Sequence, residues 1–305
     1  MSRDPEADPE EDEGLEPSEA AGPGGALDPE ELLDAADLDD LDEDEDDEEE
    51  GEGEEDGASE EGEEPKASKK KKKDEEEPPG PDVPAPPKKK LRAALEWAFD
   101  GEDVTPELLD RFAEHAHMML EMNRKVNLTA ILDPKEVAAK HYLDAWRVTQ
   151  MMSLVGRTVV DLGCGPGFPG LPIAMAEVHT KVTLIDRTKK KVDFVQECID
   201  KLGVKNASTH WGPAEEWLAT NRCDVVVMRA ISSVRENVRT LRKVRHSTKD
   251  VVMLKGASWS REVRAGEREA ERLGFTLDTV WEHELPEEMG KRAILIYRAP
   301  GGQGL

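Results

Sequence analysis

The sequence has few cysteines, no long apolar run and no apolar amino-terminal segment. Its three cysteines, Cys164, Cys198 and Cys223, are odd in number and lack the spacing of metal ligands. This predicts reduced thiols and excludes a disulfide framework or a zinc site. No stretch of about 18 apolar residues occurs, so no transmembrane helix is predicted. The amino-terminal residues resemble neither a secretory signal nor a transit peptide, which is poor in acids. These absences predict a cytoplasmic protein with no metal and no membrane partner.

The charge of the chain is unevenly distributed. Of its 305 residues, 69 are acidic and 41 are basic, but residues 1–90 hold 38 of the acids and only 10 of the bases. The remainder of the chain is electrically balanced. Residues 1–90 have almost no apolar surface to bury, so they are predicted to be a disordered acidic tail. Within it, Pro29–Leu41 has leucines at roughly helical spacing, and either folds on a partner or stays a solvated acidic stretch.

Helix signals follow the tail. Leu91–Phe99 is a short amphipathic stretch, and the pair Thr105–Pro106 has the form of an N-cap with proline at the first helical position. The pair Asp133–Pro134 repeats this start signal and opens a second helix that extends to about Met152. We therefore predict a small helical subdomain over residues 91–155.

From residue 156 to 300, apolar β-branched runs alternate with helix-like segments. The runs predict buried parallel strands, at Thr158–Leu162, Val182–Ile185, Ala207–Trp211, Cys223–Met228 and Val251–Leu254. Helices are predicted between and after them, at Leu171–Val178, Lys189–Leu202, Ala214–Thr220, Val234–Arg245 and Arg261–Leu273. Two last strands, Phe275–Trp281 and Ala293–Arg298, have only a loop between them. This order predicts an α/β domain with the seven-stranded, mostly parallel, Rossmann-like sheet of class I methyltransferases. Residues 301–305 are predicted to be a flexible end.

A glycine-rich loop carries the strongest chemical signal. The segment VVDLGCGPGFPG, Val159–Gly170, joins a predicted strand to a predicted helix. In this setting glycines let the backbone approach a ligand closely, and the helix N-terminus offers N–H groups. The spacing fits the dinucleotide pattern G-x-G-x-x-G, and it also fits D-x-G-x-G-x-G, the pattern typical of S-adenosylmethionine sites.

Two residues of this loop favour S-adenosylmethionine over a dinucleotide. Asp161 suits a ligand that carries an ammonium and a sulfonium, whereas it would repel a diphosphate. Pro166 lies in the tight turn where a pyrophosphate would need backbone donors. Asp186, at the end of the next predicted strand, is expected to bind the ribose hydroxyls of either ligand.

Several motifs in order resemble one known family. They are NRKVNLTA at Asn123–Ala130, HYLD at His141–Asp144, DLGCGPGFPGLP at Asp161–Pro172, TLID at Thr183–Asp186, AEEW at Ala214–Trp217, Arg229–Ala230 and Leu254–Gly256. The chain is similar, over about residues 95–298, to the bacterial methyltransferases that form 7-methylguanosine in small-subunit ribosomal RNA. The acidic extension has no counterpart in the core of that family.

This resemblance implies a cofactor, a partner and a set of site residues. The cofactor is S-adenosyl-L-methionine and the partner is the 16S rRNA of the small ribosomal subunit. The implied cofactor contacts are Gly163, Phe168, Ala214 and Glu215 beside the adenine, and Arg229 at the end of the fourth strand. Gly165, Gly167 and Asp186 complete the predicted cofactor-binding residues.

The end of the fourth strand bears on the target atom. Methyltransferases of exocyclic amines usually carry an Asp/Asn/Ser-Pro-Pro-aromatic tetrad there, whereas this chain has Met228–Ile231. Guanine N7 already has a free lone pair, so its methylation needs alignment rather than a general base. Arg229 and Lys255 are the predicted catalytic residues, because a cationic side chain pairs with the O6 and N7 edge of guanine. A structural salt bridge or a clamp on the cofactor carboxylate are alternatives for Arg229.

Other polar residues fit either a role at the site or a structural role. His141 and Asp144 either cover the cofactor pocket or contact RNA, or they serve a packing or hinge role. Asn127 and Thr129 either cap the loop between the two helices or line the substrate entrance. A further set is basic and forms either a phosphate-contacting surface or a solvated face. This basic set comprises Arg187, Lys189–Lys191, Arg235, Arg239, Arg242, Lys243 and Arg245.

The sequence thus predicts an S-adenosylmethionine-dependent guanine-N7 methyltransferase of 16S rRNA. Three alternatives stay open: another S-adenosylmethionine-dependent RNA methyltransferase, a nicotinamide-dependent oxidoreductase, and a non-enzymatic interaction protein whose acidic tail binds basic partners. For an RNA enzyme, the tail's negative charge is hypothesised to weaken nonspecific RNA binding by folding back over the basic face.

Overall fold

The computed structural model describes residues 80–302. The predicted disorder of the acidic tail up to residue 79, the two alternatives for Pro29–Leu41 and the last three residues lie outside the described residues. The described part contains one seven-stranded sheet with the order β3-β2-β1-β4-β5-β7-β6. Its strands are β1 Thr158–Leu162, β2 Lys181–Asp186, β3 Ala207–Trp211, β4 Val225–Arg229, β5 Asp250–Lys255, β6 Thr276–Glu284 and β7 Lys291–Arg298.

Strand direction follows the predicted layout. Strands β1 to β5 pair in parallel, and β7 is antiparallel to both β5 and β6. The predicted class I sheet of five βα units and a terminal hairpin is therefore confirmed. Because β1 lies between β2 and β4, the chain reverses its direction of winding at the carboxyl end of β1. Ligands bind at such a switch point in open α/β sheets.

The sheet is buried on both faces, as its continuous apolar strands predict. Alternate residues of a strand point to opposite faces, so Val225 and Val227 pack in one apolar cluster and Val226 and Met228 in the other. Helices α5 Gly170–Ala176 and α6 Lys189–Leu202 cover the first face together with the amino-terminal helices. Helices α7 Ala214–Thr220, α8 Val234–Thr240 and α9 Trp259–Arg272 cover the second.

Two predicted elements on this second side are shorter than expected. Strand β4 begins at Val225 rather than at Cys223, because the carboxylate of Asp224 accepts hydrogen bonds from the backbone N–H and the hydroxyl of Thr158. Helix α8 ends at Thr240 rather than at Arg245, and turns follow it.

The predicted helical subdomain packs on the sheet as part of the same core. It contains α1 Lys88–Ala98, α2 Pro106–Asn123, α3 Pro134–Val137, a π-helix at Ala138–Leu143 and α4 Asp144–Met151. The hydroxyl oxygen of Thr105 accepts from the N–H of Leu108, and the carboxylate of Asp133 accepts from two N–H groups of the first turn of α3. Both predicted N-caps therefore start helices. The π-helix, which interrupts the second predicted helix, was not expected.

The boundary of the tail differs from the predicted one at residue 90. Helix α1 begins at Lys88, so the three lysines assigned to the tail form its first turn. The preceding residues lie along α2: Arg124 donates to Asp82 at 2.7 Å, and the N–H of Ala85 donates to Glu121 at 3.2 Å. At the other end, residues 300–302 form a 3-10 turn, and the flexible end predicted for residues 301–305 stays a prediction. No helix within residues 80–302 is long and apolar enough to cross a membrane.

Candidate active site

The glycine-rich loop lies at the carboxyl end of β1, between β2 and β4. Gly163, Gly165 and Gly167 have φ values of +72°, +52° and +107°. These values fall in the left-handed region, which is costly for residues with a Cβ atom. The three glycines are therefore required by the backbone path of the loop, and the space above Gly165 is open for 4 Å around an added Cβ.

Every backbone N–H of the loop from residue 163 to residue 170 already has a protein acceptor. Gly163 and Cys164 donate to the carbonyl of Ile185, and Gly167 and Phe168 donate to the carbonyl of Cys164. Gly165 donates to the carboxylate of Asp186, and Gly170 donates to that of Asp161. All six donor–acceptor distances are 2.7–3.0 Å. Residues 166 and 169 are prolines and have no N–H. The loop therefore offers no backbone donor to a pyrophosphate, which a dinucleotide site requires.

Asp161 lies beneath this loop rather than at its surface. Its side chain is fully buried, its Oδ2 accepts from the N–H of Gly170 at 2.7 Å, and its Oδ1 has no hydrogen-bond partner. A Cβ on Gly170 would lie 2.8 Å from Asp161, so only glycine fits there. Burial raises the pKa of the Asp161 carboxyl to about 7, although the bond from Gly170 opposes the shift. The predicted acid is therefore not presented at the loop surface, and any effect on a ligand above the loop would come from its field rather than from direct contact.

Asp161→Asn is expected to remove a pH dependence of stability. The carboxyl has a pKa of about 7 in the folded protein and 3.8 ordinarily, so between these values the folded state holds a proton that the unfolded state has lost. The free energy of unfolding of the wild type therefore falls as the pH rises from about 4 to 7, by up to about 4 kcal/mol for roughly three pKa units. Urea unfolding at a series of pH values, on wild type and variant, measures this fall.

The partly buried carboxylate of Asp224, which directly precedes β4, supplies the control for that measurement. Although partial burial opposes it, bonds from Lys249 and Thr158 lower the pKa of Asp224 to about 2. Its stabilising effect is complete above the ordinary pKa, so Asp224→Asn should destabilise the protein by a constant amount from about pH 5 to 8. A decline with pH in the wild type that persists unchanged in Asp161→Asn would contradict the assignment.

The other predicted cofactor residues lie at the carboxyl ends of neighbouring strands. The carboxylate of Asp186, at the end of β2, accepts from Gly165 and from the N–H of Thr188 at 2.9 and 2.8 Å. Ala214 is buried at the start of α7, which follows β3, and Glu215 beside it forms an ion pair with Arg187. These residues form one edge of the sheet together with the glycine loop.

Phe168 is directed away from this edge. Its ring is almost fully buried, and it is surrounded by the rings of His115, His141 and Tyr142, with centroid distances of 5.3, 4.8 and 5.0 Å. The guanidinium carbon of Arg229 lies 4.9 Å from its centroid. The Phe168 ring therefore anchors the loop to the helical subdomain, and any cofactor contact would come from its backbone.

Arg229 ends β4 and lines a cavity of about 500 Å³. Its Nη1 donates to the carbonyl of Lys140 in the π-helix at 2.9 Å. Burial lowers the pKa of Arg229, and the charge of Asp144, which lines the same cavity, opposes this effect. The next residue, Ala230, has a φ of +51°, a conformation that costs a non-glycine residue of order 1 kcal/mol or more. A strained residue beside a partly buried guanidinium marks this cavity as a functional candidate.

Lys255 lines the same cavity but is already engaged. Its Nζ donates to the carbonyl of Ser232 at 2.5 Å and pairs with Glu262 at 2.8 Å. Both predicted catalytic residues therefore lie at one cavity, yet Lys255 has the contacts of a structural ion pair. Its catalytic role stays a prediction.

Several polar residues of the site were not singled out by the sequence. The amide of Asn123, and not that of Asn127, caps the loop after α2: its Oδ1 accepts from the N–H groups of Leu128 and Thr129. His283 on β6 brings its Nε2 to 3.3 Å from Asp144. His115 and Tyr142 form a buried bond beneath the glycine loop. The partners of His283 and His115 are distant in sequence, so no local spacing indicates them, whereas Asn123 lies only five and six residues from the N–H groups that it binds.

The predicted basic surface is partly neutralised. Arg187 pairs with Glu215, Lys189 with Asp193 at 2.7 Å, and Arg239 with Glu269 at 3.3 Å. These pairs reduce the positive field that the sequence implies. Contact of this surface with phosphates stays a prediction.

The sheet order, the glycine loop at its switch point and the cavity beside β4 together define a class I methyltransferase. The family model described as rRNA small subunit methyltransferase G matches residues 108–289, more than half of the chain. The chain belongs to this family, and the resemblance found in its motifs is confirmed.

Curated relatives agree with the family model. A ribosomal RNA small subunit methyltransferase G from Solibacter usitatus is 32% identical over 186 residues, which cover 61% of this chain and 88% of the relative. One from Microcystis aeruginosa is 40% identical over 151 residues, 46% of this chain and 65% of the relative. A solved SAM-dependent methyltransferase from Aquifex aeolicus aligns with a TM-score of 0.40 at 18% identity, covering 55% of this chain and 93% of the other.

Proposed function

We propose that this protein transfers a methyl group from S-adenosylmethionine to N7 of a guanine in the 16S rRNA of the small ribosomal subunit. The observation that carries the choice of cofactor is the glycine loop, whose N–H groups are all internally bonded. A loop without free donors suits an uncharged ribose and a cationic methionine, whereas it leaves a pyrophosphate without partners. The nicotinamide alternative is disfavoured for this reason.

The cofactor fits the residues that line this edge of the sheet. Gly163, Gly165 and Gly167 would allow its close approach, since the space above Gly165 is open. The fixed carboxylate of Asp186 would accept from the ribose hydroxyls, and Ala214 and Glu215 would border the adenine. When bound, S-adenosylmethionine supplies an electrophilic methyl group, so guanine N7 needs only its own lone pair.

The cavity beside β4 would orient the guanine. Arg229 keeps one nitrogen on the carbonyl of Lys140, and the rest of its fork would donate to O6, which orients the base and leaves the N7 lone pair free to attack the methyl group. The carboxylate of Asp144 lines the same cavity and offsets the guanidinium charge. The orienting donor therefore does not oppose the positive charge that develops on the methylated ring. Alignment in a partly desolvated cavity is the main source of rate enhancement in this mechanism.

The test is methyl transfer from labelled S-adenosylmethionine to unmethylated small ribosomal subunits and to protein-free rRNA. The product is mapped by strand cleavage specific for 7-methylguanine. Cleavage at one position of 16S rRNA is expected, and the preferred form of the substrate indicates when in assembly the enzyme acts. Label in the RNA without such cleavage would contradict the N7 assignment, and binding of NADH in place of S-adenosylmethionine would contradict the cofactor.

Deletion of residues 1–79 distinguishes an enzyme from a tail-driven interaction protein. These residues hold 37 acids and 7 bases, which repel phosphates at low salt. We expect the truncated protein to keep its methyl transfer and to bind unrelated RNA about 3- to 10-fold more tightly at low salt, with a steeper salt dependence. Filter binding at 50 to 200 mM salt measures this. Unchanged nonspecific affinity would refute the screening role, and lost methyl transfer would refute a dispensable tail.

A further inference from the structure

A buried hydrogen-bonded pair joins the helical subdomain to the glycine loop. His115 of α2 is fully buried, and its Nε2 lies 3.0 Å from the carbonyl oxygen of Pro166, between Gly165 and Gly167 of the loop. Its Nδ1 lies 2.8 Å from the hydroxyl of Tyr142 in the π-helix. One element of the subdomain thus bonds to the loop, and a second element bonds to the side chain that does so.

The proton positions in this pair follow from its chemistry. A carbonyl oxygen only accepts, so Nε2 of His115 carries the proton and donates to Pro166. In the neutral ring Nδ1 then has a lone pair, so the Tyr142 hydroxyl donates to it. Burial lowers the pKa of His115 to about 4, which keeps this tautomer neutral at ordinary pH.

The carbonyl of Pro166 belongs to the peptide that sets the shape of the loop. Its peptide plane continues into Gly167, whose N–H donates to the carbonyl of Cys164 at 2.8 Å. Rotation of this plane changes ψ of Pro166 and φ of Gly167 and would break both bonds. Gly167, with a φ of +107°, offers little resistance of its own because it has no Cβ atom. The bond from the His115 side chain therefore fixes the orientation of this peptide plane.

We propose that His115 and Tyr142 are positioning residues that hold the glycine loop, through the carbonyl of Pro166, in the shape that binds the cofactor. The inference rests on the proposed function and extends the cofactor site into the amino-terminal helices. Neither residue touches the cofactor. Without the donor, the buried carbonyl lacks a partner, and the loop samples conformations that do not bind S-adenosylmethionine.

Four variants in the full chain test this proposal. His115→Phe removes both bonds but keeps a ring, Tyr142→Phe removes only the hydroxyl, and His115→Gln restores an amide donor for the carbonyl. The control is His117→Phe: His117 lies on the same helix, and its Nδ1 is 3.1 Å from the carbonyl of Pro86, away from the loop. The measurements are the Kd of S-adenosylmethionine by calorimetry, Tm, and the kcat and both KM values of methyl transfer.

We expect His115→Phe to raise the Kd and KM for S-adenosylmethionine about 10- to 30-fold, and Tyr142→Phe about 2- to 5-fold. His115→Gln should return to within about threefold of the wild type, and His117→Phe should equal it. The KM for RNA should stay within about twofold in all four. A purely structural role would instead lower Tm and the active fraction and leave the Kd of S-adenosylmethionine unchanged.

Unchanged cofactor affinity in His115→Phe overturns the inference. If that variant does not fold, Tyr142→Phe provides the test, because it loses only one oxygen atom. Wild-type affinity for S-adenosylmethionine in this variant overturns the inference, and a weakened affinity supports it. A wild type that binds no S-adenosylmethionine overturns the proposed function itself, and this outcome is separable because it precedes any substitution.

Discussion

Arg229→Ala should lower kcat for methyl transfer by about 100- to 1000-fold, the usual loss for one preorganised donor in a desolvated site. Arg229 holds the cavity wall through the carbonyl of Lys140 and the ring of Phe168, and it lines the cavity itself. The substitution removes the guanidinium that would orient the guanine, and it also removes part of the cavity lining. Single-turnover methyl transfer to small subunits, with Tm measured in parallel, tests this expectation.

Two further substitutions show which property of Arg229 matters. Arg229→Lys keeps the charge but loses the planar fork, so it should recover no more than about a tenth of the lost rate. Lys255→Met should lower Tm through the loss of its pair with Glu262, and it should reduce kcat far less than Arg229→Ala. A rise in KM for S-adenosylmethionine with unchanged kcat in Arg229→Ala would assign the residue to the cofactor carboxylate. Unchanged kcat together with unchanged KM values in Arg229→Ala would refute this placement of the active centre.

Gly165→Ala should weaken S-adenosylmethionine binding by about 30-fold or more, because the added methyl group occupies the space in which the ligand is proposed to lie. In the free protein a Cβ at this position meets nothing within 4 Å, so the substitution costs little besides the left-handed backbone. That cost is roughly 1–2 kcal/mol of stability. Calorimetric titration with S-adenosylmethionine gives the affinity.

Gly203 supplies a matched control for that experiment. It ends α6 with a φ of +62°, close to the +52° of Gly165, and its Cβ would also meet nothing within 4 Å. Gly203→Ala should therefore destabilise the protein by a similar amount and leave the affinity for S-adenosylmethionine within about twofold. Equal affinities in the two variants would place the cofactor away from the glycine loop.

Much of the fold could be predicted because its signals are local. The strands β1 and β3 and the helices α6 and α7 have the predicted bounds. Apolar β-branched runs suit strands buried on both faces, and residues such as Thr105 accept from the first free N–H groups of a helix. The glycine loop was recognisable for the same reason, since its backbone requires glycine at fixed positions.

The structure differs from the sequence prediction where a contact with a residue distant in sequence determines the local conformation. The π-helix at Ala138–Leu143 replaces regular helix where Tyr142 meets His115 of another helix and Lys140 accepts from Arg229 of β4. Lys88 joins α1 because its helix packs against α2, although its charge pattern resembles the tail. Short-range sequence patterns contain no information about such contacts.

By itself, the sequence determined the class I sheet, the glycine loop and the family, because periodic burial, N-caps and left-handed glycines depend on neighbouring residues along the chain. Only the tertiary structure decided how the site is assembled. In the folded chain every loop N–H has a protein acceptor, and Asp161 is buried beneath the loop. The ring of Phe168 points inward, and the side chain of His115 contacts the carbonyl of Pro166. These arrangements depend on side chains far apart in sequence, whose desolvation requires partners that only the folded chain supplies.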